Sequence, residues 1–243
     1  ANNGFEITPY LADMLIKYES KLSFHSETQK IFQKNKPNFI NEKLIQKDLA
    51  KTLQLIAKHG RDGFYQGSVA EKIHTQMEIN GGLITKNDLE NYQPVWRTPL
   101  KSTYRNTEII TMGPPSSGGV HVIQMLNILE NYDLSMLNHN SSQYINLLTE
   151  IMKYAYADRS KYLGDPDYYE VPVSQIVSKD YAKTINKNIK IGEVTPSSEV
   201  YPGTFSDNEG YETTHFSVVD KYGNAVSSTY TLNSTFGSGV VIK

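Results

Sequence analysis

The sequence predicts an α+β fold, and three observations lead there. Over the first two-thirds of the 243 residues, apolar side chains recur at helical spacing between start and stop signals. Between Val95 and Met112 the period drops to two. A second two-residue pattern, after position 213, runs into a Tyr222-Gly223-Asn224 turn and out again.

The elements follow in order. Thr8 caps a helix that has Pro9 at its first position and carries Tyr10, Leu11, Met14, Leu15 and Tyr18. Ser20 to Asn41 is polar, with Lys36-Pro37 in its middle, and reads as loop. Leu44 to His59 reads as an amphipathic helix with Leu49, Leu53 and Ile56 on one face, ended by Gly60. Ser68 and Glu71 have the spacing of a capping box for a helix that stops at Gly81-Gly82. Thr85 and Asp88 suggest another start. Val95–Tyr104 and Thr107–Met112 read as strands joined at Arg105-Asn106. After the run from Gly113 to Gly119, one helix carries Val122, Met125, Leu126 and Leu129. A longer one, capped by Ser141, reaches Gly164-Asp165-Pro166-Asp167. Val173 to Ile185 reads as helix behind Pro172. Ile191 to Gly210, rich in Pro, Ser and Gly, reads as an exposed, mobile connection. The hairpin strands are Thr214–Asp220 and Ala225–Leu232.

Composition narrows the function classes. With 24 basic against 26 acidic residues and no basic stripe, nothing points to nucleic acid. The absence of cysteine excludes disulfides, thiolate zinc sites and cysteine nucleophiles. No apolar run reaches the roughly 18 residues of a membrane-spanning helix. The chain begins at Ala1 without a visible signal peptide and stops at Lys243 in a Gly-rich tract. Both ends read as cuts in a longer chain.

The tract that carries chemistry is Thr213-Thr214-His215-Phe216-Ser217-Val218-Val219-Asp220, then Gly223-Asn224-Ala225-Val226, then Thr229-Tyr230-Thr231-Leu232-Asn233-Ser234-Thr235-Phe236-Gly237-Ser238-Gly239. It resembles the start of the small subunit of γ-glutamyltranspeptidases. Upstream, Asn80 to Thr85, Pro114 to Gly119, and Tyr154 to Ser160 through Gly164-Asp165-Pro166 resemble the large subunit of that family, in the same order and spacing. The resemblance covers nearly the whole chain. It implies the four-layer α/β/β/α sandwich of N-terminal nucleophile hydrolases. Residues 1–212 would be the later part of the large subunit and 213–243 the start of the small one, in one structural domain incomplete at both ends.

The resemblance implies that Thr213 is the nucleophile. A threonine hydroxyl needs a base, and an N-terminal threonine supplies its own α-amine, whose pKa of about 8 suits neutral pH. It therefore implies autocatalytic cleavage at Glu212-Thr213, then attack of Thr213 on a γ-glutamyl donor such as glutathione, with water, an amino acid or a peptide as acceptor. Carried over residue by residue, Thr231 lies near the Thr213 amine and hydroxyl, and Asn233 helps to hold the donor α-amino group. The two are two apart on a predicted strand, which turns both to one face. The resemblance implies no metal or organic cofactor, a precursor divided into large and small subunits, and a periplasmic or secreted parent. The family's arginine for the donor α-carboxylate and its Gly-Gly oxyanion loop come from segments this sequence does not contain, so the 243 residues alone are expected to be inactive and uncut. Poly-γ-glutamate hydrolysis, acylase chemistry on a related amide, and a non-catalytic piece that self-associates through sheet edges are the alternatives.

Other residues have plainer readings. His215 is read as sheet-facing or hydrogen-bonded, since the amine already fills the role of base. The Pro114 to Gly119 run lacks the lysine of a P-loop and reads as a structural turn. Asp158, Asp165 and Asp167 do not have calcium-loop spacing. Asp165-Pro166-Asp167 is a turn, and Asp158 with Arg159 is a structural pair or solvated.

Overall fold

The computed structural model describes residues 1–33, 39–204, 214–232 and 234–243. In chain order they form β1 (Phe5–Glu6), α1 (Pro9–Lys17), α2 (Glu19–Phe24), α3 (Ser26–Phe32), β2 (Lys43–Leu44), α4 (Lys47–His59), α5 (Asp62–Tyr65), α6 (Gly67–Asn80), α7 (Lys86–Asn91), β3 (Leu100–Tyr104), β4 (Thr107–Thr111), α8 (Gly118–Leu129), α9 (Ser142–Tyr162), α10 (Val173–Ile176), α11 (Lys179–Asn186), β5 (Thr214–Val219) and β6 (Ala225–Tyr230). The strands form antiparallel pairs, β1 with β2, β3 with β4 and β5 with β6. The fold is α+β. It divides into two compact units: Ala1–Pro94 with the described part of Glu212–Lys243, and the described part of Val95–Tyr211.

In the first unit, Thr8 caps α1 by accepting the Leu11 amide at 3.2 Å, with Pro9 following. The polar stretch after Tyr18, read as loop, instead forms α2 and α3. Its sparse apolar positions are enough: Leu22 is buried, and Ile31 and Phe32 pack on the same core as Ile7, Leu15 and Leu44, while Ser26, Gln29 and Lys30 face water and Thr28 is buried. Leu44 belongs to β2, so α4 starts three residues later than its pattern suggests. Gly60 ends it at φ 58°. Leu49 and Leu53 are 43% and 50% exposed, so the face that periodicity marks as inward points out here, and Ala50 is the buried residue. Ser68 makes no cap for α6. Gln66 holds the N-cap position, and Glu71 forms an ion pair with Lys86 instead. The Thr85–Asp88 box does form: Thr85 Oγ1 accepts the Asp88 amide at 3.2 Å, and Asp88 accepts the Thr85 amide at 2.8 Å.

In the second unit, β3 and β4 pair from Leu100↔Thr111 to Tyr104↔Thr107, and Arg105 and Asn106 take left-handed φ values of 46° and 68° at the turn. Residues 95–99 are not strand, against expectation. Val95 and Trp96 are exposed, and no described strand lies opposite them to take their backbone hydrogen bonds. Gly119 lets α8 close on β4: a Cβ there would stand 1.9 Å from the Met112 carbonyl oxygen. This accounts for the glycine by packing, in line with the structural reading of that loop. Ser141 caps α9 through the Tyr144 amide at 3.2 Å, and Leu147, Ile151, Tyr154 and Ala155 bury one face of it. The single helix expected over Val173–Ile185 is two. Ser178 caps α11 by accepting the Tyr181 amide at 3.1 Å, and the Asn127 side chain takes the Val177 carbonyl at 2.6 Å, which satisfies the break.

Candidate active site

The hairpin that carries the predicted chemistry is regular. β5 and β6 pair without a bulge from Thr214↔Tyr230 to Val219↔Ala225. Asp220 sets the turn: its Oδ1 accepts the Tyr222 amide at 2.8 Å and the Asn224 amide at 2.9 Å, and Gly223 takes φ 84°. Those hydrogen bonds hold the Asp220 carboxyl below its ordinary range, the Asn224 side-chain bond contributing most.

Thr213, Glu212 and Asn233 lie outside the described residues. Thr231 is described: it is exposed and follows the last residue of β6, so it is not within a regular strand as its spacing from Asn233 suggested. The His215 side chain is also outside the description.

The segment after Asn233 is tied to α2 and α3. Lys21 Nζ donates to Ser234 Oγ at 3.2 Å, to the Thr235 carbonyl at 3.5 Å and to the Gly237 carbonyl. Thr28 Oγ1 donates to the Gly239 carbonyl at 2.7 Å and accepts the Val241 amide at 3.0 Å. The Phe236 ring packs 6.0 Å from Tyr18 and 5.9 Å from Phe32. Sequence reasoning misses Lys21 and Thr28, because they sit in the polar stretch that reads as loop. Their signal is weak: one lysine and one threonine, seven apart, among many polar residues.

In the second unit a buried polar centre anchors the connection that leads toward position 213. Asp158 is 1% exposed. It accepts from the Gly203 amide at 2.8 Å, from Tyr181 Oη at 2.9 and 3.0 Å, and from Gln124 Nε2. Tyr162 Oη donates to the Gly203 carbonyl. Burial pushes the Asp158 carboxyl above its ordinary range, and the bonds from Gly203, Gln124 and Tyr181 offset part of that. Burial and the neighbouring Asp158 push the Tyr181 hydroxyl up, so it stays a donor at neutral pH. Upstream, Lys153 donates to Glu150 and to the Thr195 carbonyl, both at 2.7 Å. The connection is thus pinned at Thr195, Val200 and Gly203, where its composition suggested freedom. Asp158 is therefore not solvated, and its bonds go to Gly203, Tyr181 and Gln124. Asp167 pairs in two-point fashion with Arg97, at 2.6 and 3.0 Å, across the turn at Asp165. Among the described residues no group of three or more His, Asp or Glu is placed to hold a metal ion, and no helix is long and apolar enough to cross a membrane.

Comparison with known proteins gives this geometry its context. The γ-glutamyltranspeptidase family profile matches residues 1–243. A glutathione hydrolase proenzyme of Escherichia coli (strain K12) is 49% identical over 243 residues, covering 99% of this chain and 42% of that protein. An acylase ACY 1 proenzyme of Pseudomonas sp. (strain SE83) is 38% identical over 243 residues, covering 100% of this chain and 43% of that protein. The crystal structure of Helicobacter pylori γ-glutamyltranspeptidase superimposes with a TM-score of 0.77 at 44% identity, covering 87% of this chain and 61% of that one. The chain therefore spans less than half the length of these two sequence relatives, and its α+β fold is that of the matching part of the γ-glutamyltranspeptidase structure. The chain belongs to the γ-glutamyltranspeptidase family.

Proposed function

We propose that the protein transfers and hydrolyses γ-glutamyl groups through an ester on Thr213, formed after self-cleavage between Glu212 and Thr213. The observation that carries the reading is the hairpin register. β5 and β6 pair regularly up to Thr214↔Tyr230, so the described part of the motif forms a hairpin, and Thr231, assigned to the nucleophile's surroundings, follows its last paired residue. Family membership supports the reading.

In the first step the Thr213 hydroxyl adds to the Glu212 carbonyl. The peptide nitrogen leaves as the Thr213 α-amine, and an ester joins Glu212 to the side chain. Water hydrolyses that ester and frees both. In turnover the amine takes the hydroxyl proton as Oγ1 attacks the γ-carbonyl of a donor such as glutathione, and returns a proton to the departing amine. Water yields glutamate from the acyl-enzyme; an amino acid or peptide amine yields a new γ-glutamyl amide. Thr231 steadies the Thr213 amine and hydroxyl, and Asn233 receives the donor α-amino group. No metal or organic cofactor enters these steps. The partners are the donor, the acceptor, and the large and small subunits of one precursor, in a periplasmic or secreted setting. The 243 residues expressed alone remain inactive and uncut, being 42% of the length of the Escherichia coli relative.

Peptide mass spectrometry of the complete natural polypeptide, purified from its host, tests the reading: it predicts a chain beginning at Thr213. An intact peptide spanning 212–213 in active protein would refute it.

Acylase activity is the second reading, favoured by the likeness to the acylase ACY 1 proenzyme. It predicts that amide donors lacking the α-amino group are cleaved as fast as γ-glutamyl amides, and γ-glutamyl transfer predicts that they are not.

A further inference from the structure

We propose that Lys21 and Thr28 are positioning residues for the γ-glutamyl donor, holding the chain just beyond Thr231. The inference rests on the reading of Thr231 and Asn233 as donor-site residues. Ser234 to Val241 turns tightly: Phe236, Gly237 and Gly239 have φ of 62°, 55° and 77°, and Gly237 and Gly239 bond back to the Ser234 and Phe236 carbonyls at 2.7 and 2.9 Å. Such a turn gathers oxygens of Ser234, Thr235 and Gly237, and these repel one another without a cation. The Lys21 ammonium sits among them and makes charge-assisted bonds. Gly239 suits its φ of 77°, and a Cβ there would stand 3.0 Å from Lys21 Cγ, close enough to push on the lysine stem. Thr28, 1% exposed, fixes the other end by donating to Gly239 and accepting from Val241.

The consequence is geometric. Ser234 is three residues from Thr231, and a chain extends at most about 3.6 Å per residue, so a point fixed at 234 restricts where Thr231 and its neighbours can stand. The side-chain bonds of Lys21 and Thr28 all go to Ser234–Val241, which follows the donor residue Asn233, and none of them reaches β5, the strand that follows the nucleophile in sequence. Loosening the exit of β6 therefore weakens donor placement before it weakens chemistry at saturating donor.

The test uses the complete natural polypeptide, with γ-glutamyl p-nitroanilide as donor. Lys21→Met and Thr28→Val are expected to raise KM about tenfold while kcat stays within roughly threefold. Thr28→Ser keeps the hydroxyl and is expected to stay within roughly twofold of the parent in KM. Unchanged KM in both Lys21→Met and Thr28→Val, or equal impairment of Thr28→Ser and Thr28→Val, would overturn the proposal. If Lys21→Met does not fold, the Thr28 pair decides alone. A Thr213→Ala protein that keeps full activity would instead remove the functional reading beneath it, a separate result from these KM values.

Discussion

The Asp158 carboxylate accepts the Gly203 amide at 2.8 Å, across 45 residues of sequence. Its other bonds come from Tyr181 and Gln124, so one buried carboxylate holds α8, α9, α11 and the connection toward position 213. Asp158→Ala removes the acceptor shared by the Gly203 amide, Tyr181 and Gln124 in a buried site and is expected to lower stability by about 3 kcal/mol, read from urea unfolding of the complete polypeptide. Asp158→Asn, which still accepts one or two of those bonds, is expected to lose less. Equal loss in both would show that the charge, and not the acceptor set, matters.

His121 makes stability depend on pH. It is buried with no partner for Nε2, and burial, together with the Arg159 charge, pushes its pKa from 6.5 down to about 4. The unfolded chain binds a proton below pH 6.5, and the folded one does not until near 4, so folding free energy falls as pH drops through that window and is level above it. The full effect is at most about 3 kcal/mol. Subtracting the unfolding profile of His121→Gln from that of the parent isolates it, and a difference that is flat between pH 4 and 6.5 would contradict it.

Gly119 is held to glycine by sterics. Gly119→Ala brings a methyl onto the Met112 carbonyl, and the backbone of α8 or β4 has to move. The expected loss is about 3 kcal/mol by urea unfolding. Gly118→Ala, whose Cβ meets nothing closer than 3.6 Å, is the control and is expected to stay near the parent.

The capping box of α7 gives a smaller, local effect. Thr85→Ala removes the acceptor for the Asp88 amide and is expected to cost about 1 kcal/mol. Thr85→Ser keeps the oxygen and is expected to restore most of it.

How much of this was legible in the sequence depends on range. Local signals held where the chemistry is local: Thr8 before Pro9, Thr85 with Asp88, Ser141, Arg105-Asn106 and the Asp220 turn are all decided within a few residues. Errors arose where distant packing decided. Leu22 and Thr28 make helices of a stretch too polar to announce them. Asn127 and Ser178 split one apolar run into α10 and α11. Strand pairing that Val95 lacks shortens β3. The candidate site divides the same way. Thr213, Thr231 and Asn233, the proposed site residues, come from a motif within 21 residues, and of the three the structure describes Thr231. Lys21 and Thr28 touch that region from more than 200 residues away, and periodicity carries no trace of such a contact.

The central claim is that Thr213 carries the acyl group. The most direct measurement mixes the mature natural protein with a slowly hydrolysed γ-glutamyl donor, quenches it in acid, and weighs the peptide that begins at position 213. A mass increase of one γ-glutamyl group on that threonine is expected. An unmodified Thr213 peptide during turnover, with the label on another residue, would contradict it.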